Sequence, residues 1–183
     1  MSGHNKWSKI KRQKEGTDAA KSKIFGKMGA LIASESRRAK GDTSSPSLRA
    51  AIEKAQEYNM PKDTIDRAVK KGLGADAETM DAITYEAYGP GGSALIIEAL
   101  TTNRNKASQE VKHTLSLHGF ELATPGSATW AFKKGGHDPA DGGASWIPTM
   151  TIPLSPEDEA ILEKVINDLE ENEEIQEVFT NAE

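Results

Sequence analysis

The residues with the clearest chemistry stand at the front of the chain. Residues 2–14 read Ser-Gly-His-Asn-Lys-Trp-Ser-Lys-Ile-Lys-Arg-Gln-Lys, with five basic side chains (Lys6, Lys9, Lys11, Arg12 and Lys14), no acid, and one tryptophan, Trp7. Lysine and arginine neutralise phosphates and release their counterions, and an indole ring can stack on an unpaired base. The same stretch also reads as a solvated tail with Trp7 folded back on the protein. Lys21, Lys23, Lys27, Arg37, Arg38 and Lys40 follow in the next segment, and Lys62, Arg67, Lys70 and Lys71 in a later one. Alone, these are the solvated faces of amphipathic helices; in one half of the chain with the arm, they build a basic surface. Arg104 belongs to Thr101-Thr102-Asn103-Arg104-Asn105-Lys106, at a strand-to-helix junction. Two amides and two cations there can hold a phosphate or simply cap the helix, and both readings stand.

Other chemistries find little to work with. Cysteine is absent, which excludes disulfides, thiolate metal sites and cysteine nucleophiles. His4, His113, His118 and His137 are scattered, with no pair at metal-ligand spacing beside carboxylates. The carboxylates from Glu157 to Glu177 read as a solvated acidic face rather than an acid/base pair. Gly89-Pro90-Gly91-Gly92 could cradle an anion, but it lacks the Lys-Ser/Thr of a phosphate loop and reads better as a tight hairpin turn. No nucleophile–base arrangement can be argued, so we expect no enzyme and no metal.

Charge is divided unevenly. The net charge of −5 hides a balance of +9 over residues 1–74 and −14 over residues 75–183. Such asymmetry points to a nucleic-acid-facing half and a second half with another task. The longest apolar run, Ala94-Leu95-Ile96-Ile97, stops at Glu98, which excludes a membrane-spanning helix. The N-terminus shows no apolar core of a secretory signal, and a cytoplasmic protein is expected.

These side chains need elements to hold them. Ile24, Phe25, Met28, Leu31 and Ile32 form one stripe of a helix over 17–39, stopped by Gly41. Ser45-Pro46 reads as an N-cap with proline in the first helical position, opening a helix that ends near Asn59. Pro61 opens a third helix with Ile65, Ala68 and Val69 inward, and its short joint at Asn59-Met60 permits a helix-turn-helix-like corner. Beyond residues 73–77, Thr84–Tyr88 alternates and Ser93–Leu100 is nearly all apolar, which predicts a hairpin whose second strand is buried on both faces. A helix over 103–118, short strands at 120–122 and 128–132, a strand with Met150, Ile152 and Leu154 on one face, a helix from Ser155-Pro156, and an edge strand at Val178–Thr180 complete the reading. The result is an α+β protein: a basic arm and three-helix domain over 1–75, then an α/β domain over 78–183, with helices on one face of the sheet and a layout compatible with a ferredoxin-like core. A flexible loop is expected at 133–147.

At this point the chain resembles the YebC/PmpR family. The resemblance rests on Gly3-His4-Asn5-Lys6-Trp7-Ser8-Lys9-Ile10-Lys11, Leu48-Arg49-Ala50-Ala51-Ile52-Glu53-Lys54-Ala55, Asn59-Met60-Pro61-Lys62-Asp63 and Arg67-Ala68-Val69-Lys70-Lys71-Gly72. It continues through Tyr85-Glu86-Ala87-Tyr88-Gly89-Pro90-Gly91-Gly92, Leu100-Thr101-Thr102-Asn103-Arg104-Asn105 and Gly126-Ser127-Ala128-Thr129-Trp130-Ala131-Phe132. Members typically carry an extra α/β domain where this chain has only the Gly-rich stretch 133–147, so it looks like a short form. The resemblance implies a nucleic-acid-binding regulatory protein without cofactor. Two roles compete within it: DNA-binding transcriptional regulation, and a translation factor that binds ribosomal RNA or the ribosome and relieves stalling. A further alternative, from the residues themselves, is an adaptor whose acidic C-terminal helix engages a basic protein partner.

Overall fold

The computed structural model describes residues 18–135 and 146–183. The chain divides into two compact units, one of them Glu15–Met80 and the other containing Asp81–Glu183.

The first unit is helical, with α1 (Asp18–Arg38), α2 (Pro46–Glu57) and α3 (Lys62–Leu73). Met28 and Ile32 of α1, Leu48, Ala51 and Ala55 of α2, and Ile65 and Ala68 of α3 close one apolar core with Met60. Three thin stripes suffice because α1 and α3 meet at a glycine. A Cβ on Gly72 would stand 2.2 Å from the Ala33 carbonyl oxygen, and the Ser36 hydroxyl donates to the Val69 carbonyl at 2.8 Å. Ser45 occupies the N-cap position of α2 with Pro46 behind it, but its side chain makes no capping bond. Instead the Asp42 carboxylate accepts from the Ser44 amide at 2.9 Å and its hydroxyl at 2.6 Å, fixing the preceding turn.

The second unit is α+β. Its main sheet is antiparallel in the order β1 (Asp81–Tyr88), β2 (Ala94–Thr101), β5 (Ile175–Thr180). A 3-10 turn over Pro90–Gly92 joins β1 to β2, with Gly91 at φ +63° and Gly92 at +79°, so the hairpin reading of this segment holds. The helices α4 (Arg104–Leu117) and α5 (Pro156–Glu171) cover one face. Leu95, Ile97 and Ala99 of β2 pack there with Val111, Leu115, Leu162, Val165 and Leu169. Ala94 and Ile96 point the other way, into a second cluster with Ala128, Ala131, Phe132, Trp146 and Phe179. The two-sided burial of β2 follows from its unbroken apolar run.

That second layer departs from the sequence reading. Residues 120–122 contribute only an isolated bridge, Ala87 to Leu122, and 128–132 is a 3-10 turn (Thr129–Ala131) leading into β3 (Phe132–Lys134). The reason lies in Glu86, whose carboxylate takes the amides of Gly126, Ala128 and Thr129 at 2.6–3.0 Å, so they serve no strand ladder. The expected loop 133–147 is paired at both ends, because Phe132–Lys134 lies antiparallel to β4 (Trp146–Pro148). Trp146 is buried, donates its Nε1 hydrogen to Glu98 at 2.9 Å, and carries the Lys134 ammonium 4.0 Å above its ring. The interior of the loop, 136–145, lies outside the described residues. The expected strand at 150–154 reduces to a bridge between Ile152 and Ala182; Pro153 cannot donate to a ladder, and Met150 is exposed.

Candidate nucleic-acid interface

The packing of α1 on α3 has a consequence for charge. The C-terminal ends of the two helices adjoin, where Gly72 meets Ala33 and Leu73 covers Gly41. Arg37, Arg38 and Lys40 therefore come together with Lys70 and Lys71, some thirty residues later in sequence. All five are exposed. Arg38 pairs with Glu35 at 3.0 Å and Arg37 donates to the Ala77 carbonyl at 2.8 Å, so those two are held. Lys40, Lys70 and Lys71 make no ion pair with the described residues, and neither do Lys21 and Lys62. Arg37 and Arg38 in the last turn of α1, and Lys70 and Lys71 in the last turn of α3, also complement the negative ends of the helix dipoles.

The remaining expected contacts divide. Lys23 is exposed, whereas Lys27 departs from expectation: it is buried on the inner face of α1, with 8% of its surface accessible, and it is not free. A lysine three or four positions along from two apolar neighbours lands on the core side, and its stem packs there. Lys6, Trp7, Lys9, Lys11, Arg12 and Lys14 lie outside the described residues. At Asn59-Met60 the joint is closed by a positive φ of 58° at Asn59, which is exposed, while Met60 is buried.

The junction at Arg104 resolves toward the capping reading. Asn103 accepts the Lys106 amide at 3.1 Å and so caps α4. The Arg104 guanidinium bonds Asp81 at 2.7 Å, and Lys106 lies between Glu110 at 3.6 Å and Glu174 at 3.5 Å. Arg104 holds the Asp81 carboxyl below its usual range, chiefly through that hydrogen bond, while Glu174 raises Lys106. Both cations are thus matched by carboxylates, and an incoming phosphate would have to displace them. Burial raises the Tyr85 phenol, whose hydroxyl has no partner at this end of the sheet. The acids that open α5, Glu157, Asp158 and Glu159, sit in its first turn where the dipole favours them, and Ser155 caps it by accepting the Asp158 amide at 3.1 Å.

Sequence reasoning missed one feature of the α/β unit. Tyr88 and Trp130 are exposed aromatics, and the Trp130 indole donates to the Tyr88 hydroxyl at 3.1 Å. Both belong to segments quoted for the family resemblance, yet the signal that couples them is spatial. No three-membered group of metal-ligating side chains occurs among the described residues, and no described helix is long and apolar enough to cross a membrane.

Comparison with known proteins places this architecture. The model for the TACO1/YebC protein N-terminal domain matches residues 5–75, and that for the TACO1/YebC second and third domain matches residues 80–138. The chain belongs to the TACO1/YebC family. A "Probable transcriptional regulatory protein" of Fervidobacterium nodosum is 50% identical over 138 residues, which cover 74% of this chain and 55% of that protein. Against this relative the chain spans little more than half its partner's length. A second, from Thermoanaerobacter pseudethanolicus, is 34% identical across 100% of this chain and 97% of its own. That alignment runs over 239 positions against the 183 residues here, so a stretch of the relative has no counterpart in this TACO1/YebC member. The second family match ends at residue 138, within the Gly-rich stretch. Among solved structures, a conserved hypothetical protein from Aquifex aeolicus aligns with a TM-score of 0.77 and 26% identity, over 91% of each chain.

Proposed function

We propose that this chain is a nucleic-acid-binding regulatory protein, a DNA-binding transcriptional regulator of the YebC type that acts by binding rather than by turnover. The observation that carries this reading is the set of exposed lysines at one end of the helical unit, where Lys40, Lys70 and Lys71 make no ion pair with the described residues. On the α/β unit, by contrast, Arg104 and Lys106 are already neutralised. The basic arm of residues 6–14 adds five further charges to the same half. Its relatives bear the name of transcriptional regulators, which agrees with this role.

A second reading, a translation factor on ribosomal RNA, is favoured by the exposed Tyr88–Trp130 pair, for which a stacked duplex has no use. An adaptor built on the acidic α5 has weaker support, since the first-turn acids already serve that helix.

The test is binding of the full chain to duplex DNA and to ribosomal RNA over a range of salt. Replacing Lys70 and Lys71 together by alanine should lower the salt slope by about two on DNA, at roughly 0.9 per phosphate. An unchanged slope would remove the helical unit from the contact surface. Crosslinking in cells, with DNA and RNA both sequenced, chooses between promoter and ribosome.

A further inference from the structure

We propose that Tyr88 and Trp130 form a preorganised platform on which an unpaired base of a single-stranded nucleic acid stacks. The inference rests on the nucleic-acid reading above and adds a second contact, on the unit whose composition argues against one.

Exposure singles the pair out. Trp130 keeps 57% of its surface accessible and Tyr88 37%, while the other described aromatics, Phe25, Tyr58, Tyr85, Phe120, Phe132, Trp146 and Phe179, are buried or half-buried. The fold does not need the indole as core, because Ala128, Ala131 and Phe132 around it do the burying. Nor are the two rings loose. The Trp130 Nε1 hydrogen goes to the Tyr88 hydroxyl, which in turn donates to the Ser127 carbonyl. Their polar atoms are therefore satisfied within the protein, and what they offer outward is apolar ring surface.

The support beneath them is unusual in kind. Glu86 is 6% exposed, and its carboxylate accepts three amides from Gly126, Ala128 and Thr129, the turn that carries Trp130. Burying a carboxylate is costly unless such bonds compensate it, and here they fix one short surface turn. Rings already held in place lose little freedom on binding, which is what a stacking surface requires. Thr149 donates its amide to the Ala131 carbonyl next to Trp130, and Met150, which follows it, is 56% exposed.

Charge selects the occupant. The net acidity of this unit is concentrated on α5 and its C-terminal flank, and α5 covers the opposite face of the sheet. On the layer that carries Trp130, Glu86 and Glu98 are bonded internally, whereas Lys133 of β3 is exposed and Lys134, also exposed, rests on the Trp146 ring. Aromatic faces beside lysines fit a base and its phosphates; a paired duplex keeps its base faces hidden.

The experiment uses the full chain and two labelled probes, an oligouridine strand and the same strand with abasic sites. These carry equal phosphate charge and differ only in stackable bases. Trp130→Ala should weaken oligouridine binding roughly five- to a hundredfold, leave its salt slope unchanged, and leave the abasic strand unaffected. Trp130→Phe should retain most of the affinity, and urea unfolding of both variants checks that the fold is intact. If Trp130→Ala misfolds, the wild-type preference for the base-bearing strand, kept in Trp130→Phe, decides. Equal binding of oligouridine by wild type and Trp130→Ala overturns the platform while leaving the basic surface standing. A wild-type chain that binds no strand and no duplex at low salt overturns this inference and the nucleic-acid reading together.

Discussion

Gly72→Ala is the substitution that most directly tests how the basic cluster is assembled. Two effects oppose each other. Alanine in place of a helical glycine favours the helix by up to about 1 kcal/mol. Against that, the new Cβ would sit 2.2 Å from the Ala33 carbonyl oxygen and 3.0 Å from the Ser36 Cβ. Real carbon–oxygen contacts need about a further ångström, and the obstacle is backbone, which cannot rotate aside as a side chain can. The helices must separate, stretching the 2.8 Å bond from Ser36 to the Val69 carbonyl and opening the core around Ile65 and Ala68. Overpacking of this kind costs about 1–3 kcal/mol, and against rigid backbone the upper part of that range applies. The net expectation is a loss of about 2 kcal/mol. Gly26→Ala is the internal control: nothing lies within 4 Å of its added methyl, so it should stabilise by about 0.5–1 kcal/mol. Urea unfolding followed by far-UV circular dichroism reads both. A Gly72→Ala variant as stable as the wild type would refute the close approach of α1 and α3, and with it the convergence of Lys40 with Lys70 and Lys71.

Three further outcomes are expected. Replacing Lys9, Lys11 and Arg12 together by alanine should reduce the salt slope of binding by about two to three and weaken all sequences alike, as measured by anisotropy titrations; an unchanged slope would leave the basic helices as the contact. Glu86→Ala takes the carboxylate partner from the amides of Gly126, Ala128 and Thr129, of which Ala128 is buried, and should cost about 1–3 kcal/mol in urea unfolding, with a rise in Trp130 mobility; a neutral substitution would show that the turn stands without its carboxylate. Asp81 titrates below the usual aspartate range because of Arg104, so the pair's contribution to stability is present above about pH 4 and is lost as pH falls through the lowered value. An NMR titration of Arg104→Ala should find the Asp81 carboxyl back near its ordinary value, and no change would mean the ion pair does not form in solution.

The parts of the fold that were legible in the sequence are those set by local spacing. The stripe Ile24, Phe25, Met28, Leu31, Ile32 defines α1 because a 3.6-residue period needs nothing beyond the segment itself. Pro46 and Ser155-Pro156 mark helix starts for an equally local reason, the missing amide of proline where no partner is needed. The run Ser93–Leu100 announced burial on both faces, since no polar alternation leaves either side for water.

Where the reading failed, a distant side chain had taken over. Residues 128–132 have the composition of a strand, but Glu86, some forty positions earlier, captures their amides and coils them into a turn. Trp146 resembled a loop residue among glycines until Glu98 gave its indole a partner and Phe132–Lys134 gave its backbone one. Lys27 was one more cation in a basic helix, and only the packing of that helix turned it inward.

For the candidate interface, sequence alone determined the inventory: how many cations, in which half, with which aromatic residues, and in segments similar to those of the TACO1/YebC family. Tertiary structure decided their availability. It left Lys70 and Lys71 exposed and brought them to Lys40 through a glycine contact, matched Arg104 and Lys106 with carboxylates, and held Tyr88 and Trp130 outward. The physical reason is that a charge or a ring is fixed by composition, but whether it is neutralised, buried or presented depends on neighbours that meet only when the chain folds.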